Sequence, residues 1–141
     1  MSFGLRLGLM ITDIAFLLYW AMSAADVVGL IHIPSDLLYA NAHDPSTIAW
    51  NWSFFPLDIA FSMTGLWAVR AAKQGQAIWR PLALISRTLT IVAGGMACSY
   101  WLLAGSIDPT WFGANLLLVV WPLLFLPRLI KQMAANPAPN N

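Results

Sequence analysis

A chain of 141 residues that is 60% hydrophobic and 9% charged, with a mean hydropathy of +0.70, is too apolar for a water-soluble domain, in which about 25% of residues are charged. A net charge of +1 argues against nucleic acid as a partner. The single cysteine, Cys98, excludes an internal disulfide.

Four apolar stretches reach or approach the ~20 residues that cross a bilayer: residues 8–31, 49–69, 81–104 and 110–127. They predict an all-α membrane protein, a four-transmembrane-helix bundle that forms one domain over residues 1–132 and leaves a disordered tail at 133–141. Arg6 and the trio Ser23, Ala24 and Ala25 imitate parts of a secretory signal. Asp13 interrupts that apolar run, however, and the run is long enough to span, so the first helix is expected to be retained. On it, Thr12, Tyr19, Ser23 and Asp26 fall on one stripe, at spacings of seven, four and three residues.

The connection that follows, residues 32–48, has Asp36 and Asp44 but no Lys or Arg. Its two histidines, His32 and His43, have no Cys or Glu cluster around them and predict no metal site. Asp44 and Pro45 offer a capping acceptor followed by a proline at the first helical position. In the second span, Asn51-Trp52-Ser53 matches a glycosylation acceptor but lies too near the bilayer to serve as one. Pro56 cannot donate to Trp52 and clashes with its carbonyl, so a bend is expected just before Asp58. Asp58 sits roughly 13 Å inside this span, near the midplane, with Ser62 and Gly65 on the same stripe.

Arg70, Lys73 and Arg80 lie between the second and third spans, on the same side as Arg6, Arg128 and Lys131. The positive-inside rule then puts both termini in the cytoplasm. Arg87, in the third span, is at the depth of Asp13, and a structural ion pair of Asp13 with Arg87 is expected. Thr90 and Gly94 mark a close helix contact on the same span. Asp108 and Pro109 repeat the capping pattern before the fourth span, which carries Trp111, Trp121 and Pro122. Trp50, Trp52, Trp101 and Trp111 cluster at the outer ends and Trp67 and Trp79 near the inner boundary, as an interfacial belt does.

Asp26 and Asp58 have no basic residue in the outer half of any span to pair with. Sharing one site, they would hold at least one proton between them at neutral pH. Tyr19, Ser23 and Ser62 are expected to line the pocket around them. Trp20 and Trp121 either line it or pack against neighbouring helices.

The segments ITDIAFLLYW (Ile11–Trp20), AWNWSFFPLD (Ala49–Asp58), TGLW (Thr64–Trp67) and WPLLFLPRLI (Trp121–Ile130) resemble the YvaD-like family of small bacterial membrane proteins over nearly the whole chain. That family has no assigned activity, and the likeness implies four helices in a bacterial inner membrane. A more distant architectural resemblance is to the EXPERA group, which includes the emopamil-binding protein and the sigma-two receptor. An acid late in the first span, an acid in a proline-bearing second span, then Gly75 and Trp79, and a proline-bearing fourth span follow its order. This resemblance implies a pocket in which Asp26 and Asp58 hold or protonate an amphipathic or lipid-like molecule, with isomerase chemistry. The chain departs from the group in having no Glu, a short first outer loop and no histidine within a span.

The alternatives are a proton-coupled transporter subunit and a non-catalytic membrane assembly or helper protein. The expected partners are membrane lipids, an amphipathic small-molecule ligand and a second copy of the chain, with no cofactor.

Overall fold

The computed structural model describes residues 1–34, 43–105 and 107–135, and the regular structure in them is helical throughout. The elements are α1 (Phe3–Val27), α2 (Pro45–Ser53), α3 (Phe55–Lys73), α4 (Trp79–Ala104), α5 (Pro109–Leu123) and α6 (Leu126–Ala135). Local chemistry sets their ends. Ser2 Oγ accepts from Leu5 N at the start of α1. Asp44 caps α2 by accepting from Thr47 N and Thr47 Oγ1, and Asp108 caps α5 by accepting from Thr110 N and Trp111 N. At the end of α3, Gly75 takes a φ of +71°, which lets Gln76 N donate to Ala71 O and Gly75 N to Ala72 O. That pair of bonds is a Schellman closure.

The second expected span is divided. A turn at Phe54 separates α2 from α3, and Pro56 stands in the first turn of α3. Pro56 has no N–H for Trp52 O, so the break falls where a continuous helix would clash. The same reasoning applies to α5 and α6, where Pro127 would face Leu123 O and the chain turns at Leu124 and Phe125. Residues 133–135, expected in a disordered tail, belong to α6, which runs through Ala135. Residues 136–141 and Asp36 lie outside the described residues.

By length and composition, three helical stretches can cross a membrane: Phe3–Val27, Trp79–Ala104 and Pro109–Ala135, the last made of α5 and α6 together. Asp58, Ser62, Thr64 and Arg70 make α3 more polar than these. Among the described residues the packing is inverted relative to a water-soluble domain. Ile11, Leu18, Met22, Met63, Ile85, Val92, Met96 and Leu117 face outward, while Asp13, Asp58, Ser62, Ser86, Arg87 and Thr90 are buried. Apolar outside and polar within is what a lipid solvent selects.

α4 packs between α3 and α5, and α1 packs on α3. Small residues allow the close approach: a Cβ on Gly94 would come 2.6 Å from Asn115 O on α5. The end of the bundle where α1 begins and α3 ends is an apolar core of Leu5, Leu9, Ala68, Val69, Trp79, Leu82 and Leu129. A second core, of Trp20, Phe54, Phe61, Ala93 and Ala97, fills the other half. At the end where α1 begins, α5 reaches α1 where the Trp121 ring lies against Gly8. Further out, a cavity separates the two helices.

Candidate functional site

The cavity has a volume of about 270 Å³ and lies in the half of the bundle where α1 ends and α2 and α5 begin. Phe16 and Tyr19 of α1, Trp50 of α2, Phe54, Trp101 of α4 and Trp111 of α5 form its aromatic wall. These rings brace one another, with Trp50 stacked on Tyr100 at 4.1 Å and set edge-on to Trp101 at 5.5 Å. Its polar members are Asn51, Asp58 and Asn115, and no Lys, Arg or His lines it.

Asp58 is the charged-type residue of the wall and is 4% exposed. Trp20 Nε1 donates to its Oδ2 at 2.9 Å, while its Oδ1 is buried without a partner. Tyr19 OH donates to Asn51 Oδ1 at 3.2 Å, and Asn51 Nδ2 is also buried and unpartnered. Asn115 Nδ2 donates back to Trp111 O within α5. An apolar, ring-lined chamber with one carboxylate oxygen to spare can take a donor or a cation far more readily than an anion.

Asp26 does not join Asp58. Its Oδ1 accepts from Ile33 N at 2.9 Å and has His32 Nδ1 at 4.0 Å, so it fastens the chain as it leaves α1. The reason is position along the helix: Trp20, not Asp26, is level with Asp58, and Asp26 lies six residues, about 9 Å, further out. The expected shared site of two acids is therefore replaced by a Trp–Asp contact. Tyr19 lines the cavity, whereas Trp20, Ser23, Ser62 and Trp121 are not part of its wall. Ser23 Oγ donates to Tyr19 O in its own helix.

Below the cavity lies a second polar centre. Arg87 Nη2 donates to Asp13 Oδ1 at 2.8 Å and to Ser86 Oγ at 2.7 Å, and Ser86 Oγ donates to Phe61 O. Asp13 and Arg87 are both 0% exposed. Trp121 covers this centre, its ring 4.6 Å from the Arg87 guanidinium carbon. Asp13 Oδ2 occupies the space that a side chain at position 65 would need, which is why glycine stands there.

Sequence reading passed over Asn115, Ser86 and the cavity side of Asn51. Asn115 stands among Ala114, Leu116 and Leu117 in the most apolar helix, and a lone amide there is itself a signal. Ser86 adjoins Arg87, which was marked only for its charge. Among the described residues, no three His, Cys, Asp or Glu side chains gather to hold a metal ion.

Apolar spans, a polar interior and a carboxylate-bearing cavity define the class: a small, all-helical membrane protein. Within it the chain belongs to the family described as a family of unknown function, DUF5360, whose model matches residues 5–136. It is 40% identical over 128 residues to "Uncharacterized protein YvaD" of Bacillus subtilis (strain 168), a match covering 91% of this chain and 92% of that protein. No solved structure matches it.

Proposed function

We propose that this protein binds a compact amphipathic amine from the membrane, with the cation on Asp58 and the apolar body against the aromatic wall. The observation that carries this reading is the unpartnered Oδ1 of Asp58, buried in the wall of a cavity with six aromatic neighbours and no basic group. A carboxylate so placed is incomplete without a donor or cation, and aromatic faces attract the same charge. The volume is just under the ~300–1,000 Å³ usual for small-molecule sites, which favours a compact ligand or the head of a longer one.

In this reading the chain crosses the membrane four times with both termini in the cytoplasm, α2 and α3 together forming the second crossing. The cavity then faces the outer leaflet. The order of acids and prolines that resembles the EXPERA group is consistent with a lipid-like ligand and with proton transfer to it, and Asp58 is the group that would exchange the proton.

The test is a titration of purified wild type and Asp58→Asn with N,N-dimethyl-2-phenylethylamine, followed by tryptophan fluorescence, beside thermal unfolding of both. Asparagine keeps the Trp20 contact but carries no charge. We expect Asp58→Asn to lose at least tenfold in amine affinity while its Tm stays unchanged or rises. A lowered Tm with amine affinity intact would instead make Asp58 a helix-packing residue and favour a helper protein without a ligand.

A further inference from the structure

Among the described residues, seven buried side-chain atoms have no hydrogen-bond partner, and five of them belong to four residues of α1, α3 and α4: Asp58 Oδ1, Ser62 Oγ, Asp13 Oδ2, Arg87 Nε and Arg87 Nη1. All four residues are buried, from 0% to 4% exposed. Asp58 meets Trp20 of α1, and Gly65, seven residues on, meets Asp13 of α1 and Ser86 of α4. Two contacts seven residues apart fix which face of α3 looks into the bundle, and Ser62 falls on that face between them. The helix rises about 6 Å from Asp58 to Ser62 and about 4.5 Å from Ser62 to Gly65, where Asp13 sits. Backbone rises of this size suit side chains bridged by single waters, each of which spans ~5.6 Å with two bonds of ~2.8 Å.

A buried polar atom without a partner carries a desolvation penalty, and natural proteins leave few of them. Five on four buried side chains of α1, α3 and α4 are a pattern of a different kind. A buried water needs two to four polar partners. Asp58 Oδ1 and Ser62 Oγ supply two, and Ser62 Oγ, Asp13 Oδ2 and Arg87 Nη1 supply three.

We infer that a file of internal waters seated on Ser62 joins the cavity carboxylate Asp58 to the Asp13–Arg87 pair and passes protons between them. In such a transfer Asp58 gives up one proton, each water and the Ser62 hydroxyl accept one and release one, and Asp13 Oδ2 gains one. Asp58 becomes the carboxylate, Asp13 becomes neutral, and the total charge is unchanged. Arg87 keeps the Trp121 ring over its guanidinium and a bond to Ser86 throughout. The titratable groups around the file are Tyr19 and Asp13 on α1 and Arg87 on α4, while α2 and α5 contribute the neutral Asn51 and Asn115. Cys98 of α4 is directed elsewhere, its Sγ 3.9 Å from Phe112 O of α5. The file requires no ligand and stands apart from the amine reading.

Infrared difference spectra of the membrane-reconstituted protein, recorded as pH is stepped in ordinary and in oxygen-18 water, test it directly. Asp58→Asn identifies the Asp58 carboxyl band by its disappearance. We expect isotope-sensitive O–H bands of internal water that change together with the Asp58 band, are lost in Ser62→Ala, and persist in Ser62→Thr, which keeps a hydroxyl. Ser62→Gly replaces Ser62→Ala if the latter does not hold the wild-type Tm. Absence of any such water band in the wild type, or its persistence in both hydroxyl-free variants, overturns the file.

Discussion

Arg87 shows how a full charge survives inside this bundle. Its guanidinium is bonded to Asp13 Oδ1 and Ser86 Oγ and covered by Trp121, and Arg87, Asp13 and Ser86 are all 0% exposed. Removing one member of such a pair leaves the other charge buried and alone. Asp13→Asn or Arg87→Leu should each lower stability by about 3–5 kcal/mol, and the double variant should recover much of that loss. A double-mutant cycle from unfolding in detergent measures the coupling, and additive losses would contradict it. Gly65 is the packing counterpart. A Cβ there would overlap Asp13 Oδ2 and stand 2.7 Å from Ser86 Oγ, so Gly65→Ala should cost about 1–3 kcal/mol and disturb the pair. Gly95, with nothing within 4 Å of a built Cβ, is the control: Gly95→Ala should be neutral or stabilise by about 0.5–1 kcal/mol in the same assay.

At the scale of elements, the most consequential device is the break between α2 and α3. It turns one apolar stretch into a 9-residue helix and a 19-residue helix, with Trp50 and Asn51 on the first and Asp58 on the second, all lining the same cavity. A helix as short as α2 depends on its cap. The Thr47 amide and hydroxyl that bond Asp44 hold its carboxyl below the ordinary value of 3.8. Because the folded value is depressed, the cap contributes fully above 3.8 and loses that contribution as pH falls through the lower folded value. Amide exchange at Thr47 and Ile48 should therefore quicken in the wild type as pH falls below 3.8, beyond the intrinsic pH trend. In Asp44→Ala it should already be fast at neutral pH and show no such step.

For the whole molecule, charge asymmetry and inverted packing act together. Arg70, Lys73, Arg80, Arg128 and Lys131 gather with Arg6 near the ends of α1, α3, α4 and α6 that share the Leu5 and Leu129 core. In the proposed arrangement, which follows the positive-inside rule, that end is the cytoplasmic one. Cys98 is the single cysteine and is buried, so Cys98→Ala provides a background for labels. Cysteines placed at His43 should react with an impermeant reagent from outside intact cells, and those at Gln74 or Gln132 should not. Labelling of all three from one face would contradict the four-crossing arrangement.

By itself the sequence indicated a lipid solvent and the helical class, and it marked the capped starts of α2 and α5. These depend on local properties: apolar length, the Asp-Pro caps at Asp44 and Asp108, and the proline at Pro56 that forbids a donor. The equal depth of Asp13 and Arg87 is also local, being a count of residues from the ends of two spans. Only the tertiary structure decided which polar groups meet. Asp26 and Asp58 were both unpaired acids of the outer half, but the register of α1 against α3 sets Trp20 opposite Asp58 and leaves Asp26 to bind the Ile33 amide. The same register and the rotation of α5 turn Trp121 onto Arg87 and bring Asn115 to the cavity. Register and rotation between helices depend on how side chains interlock across the whole contact, and no single span encodes them.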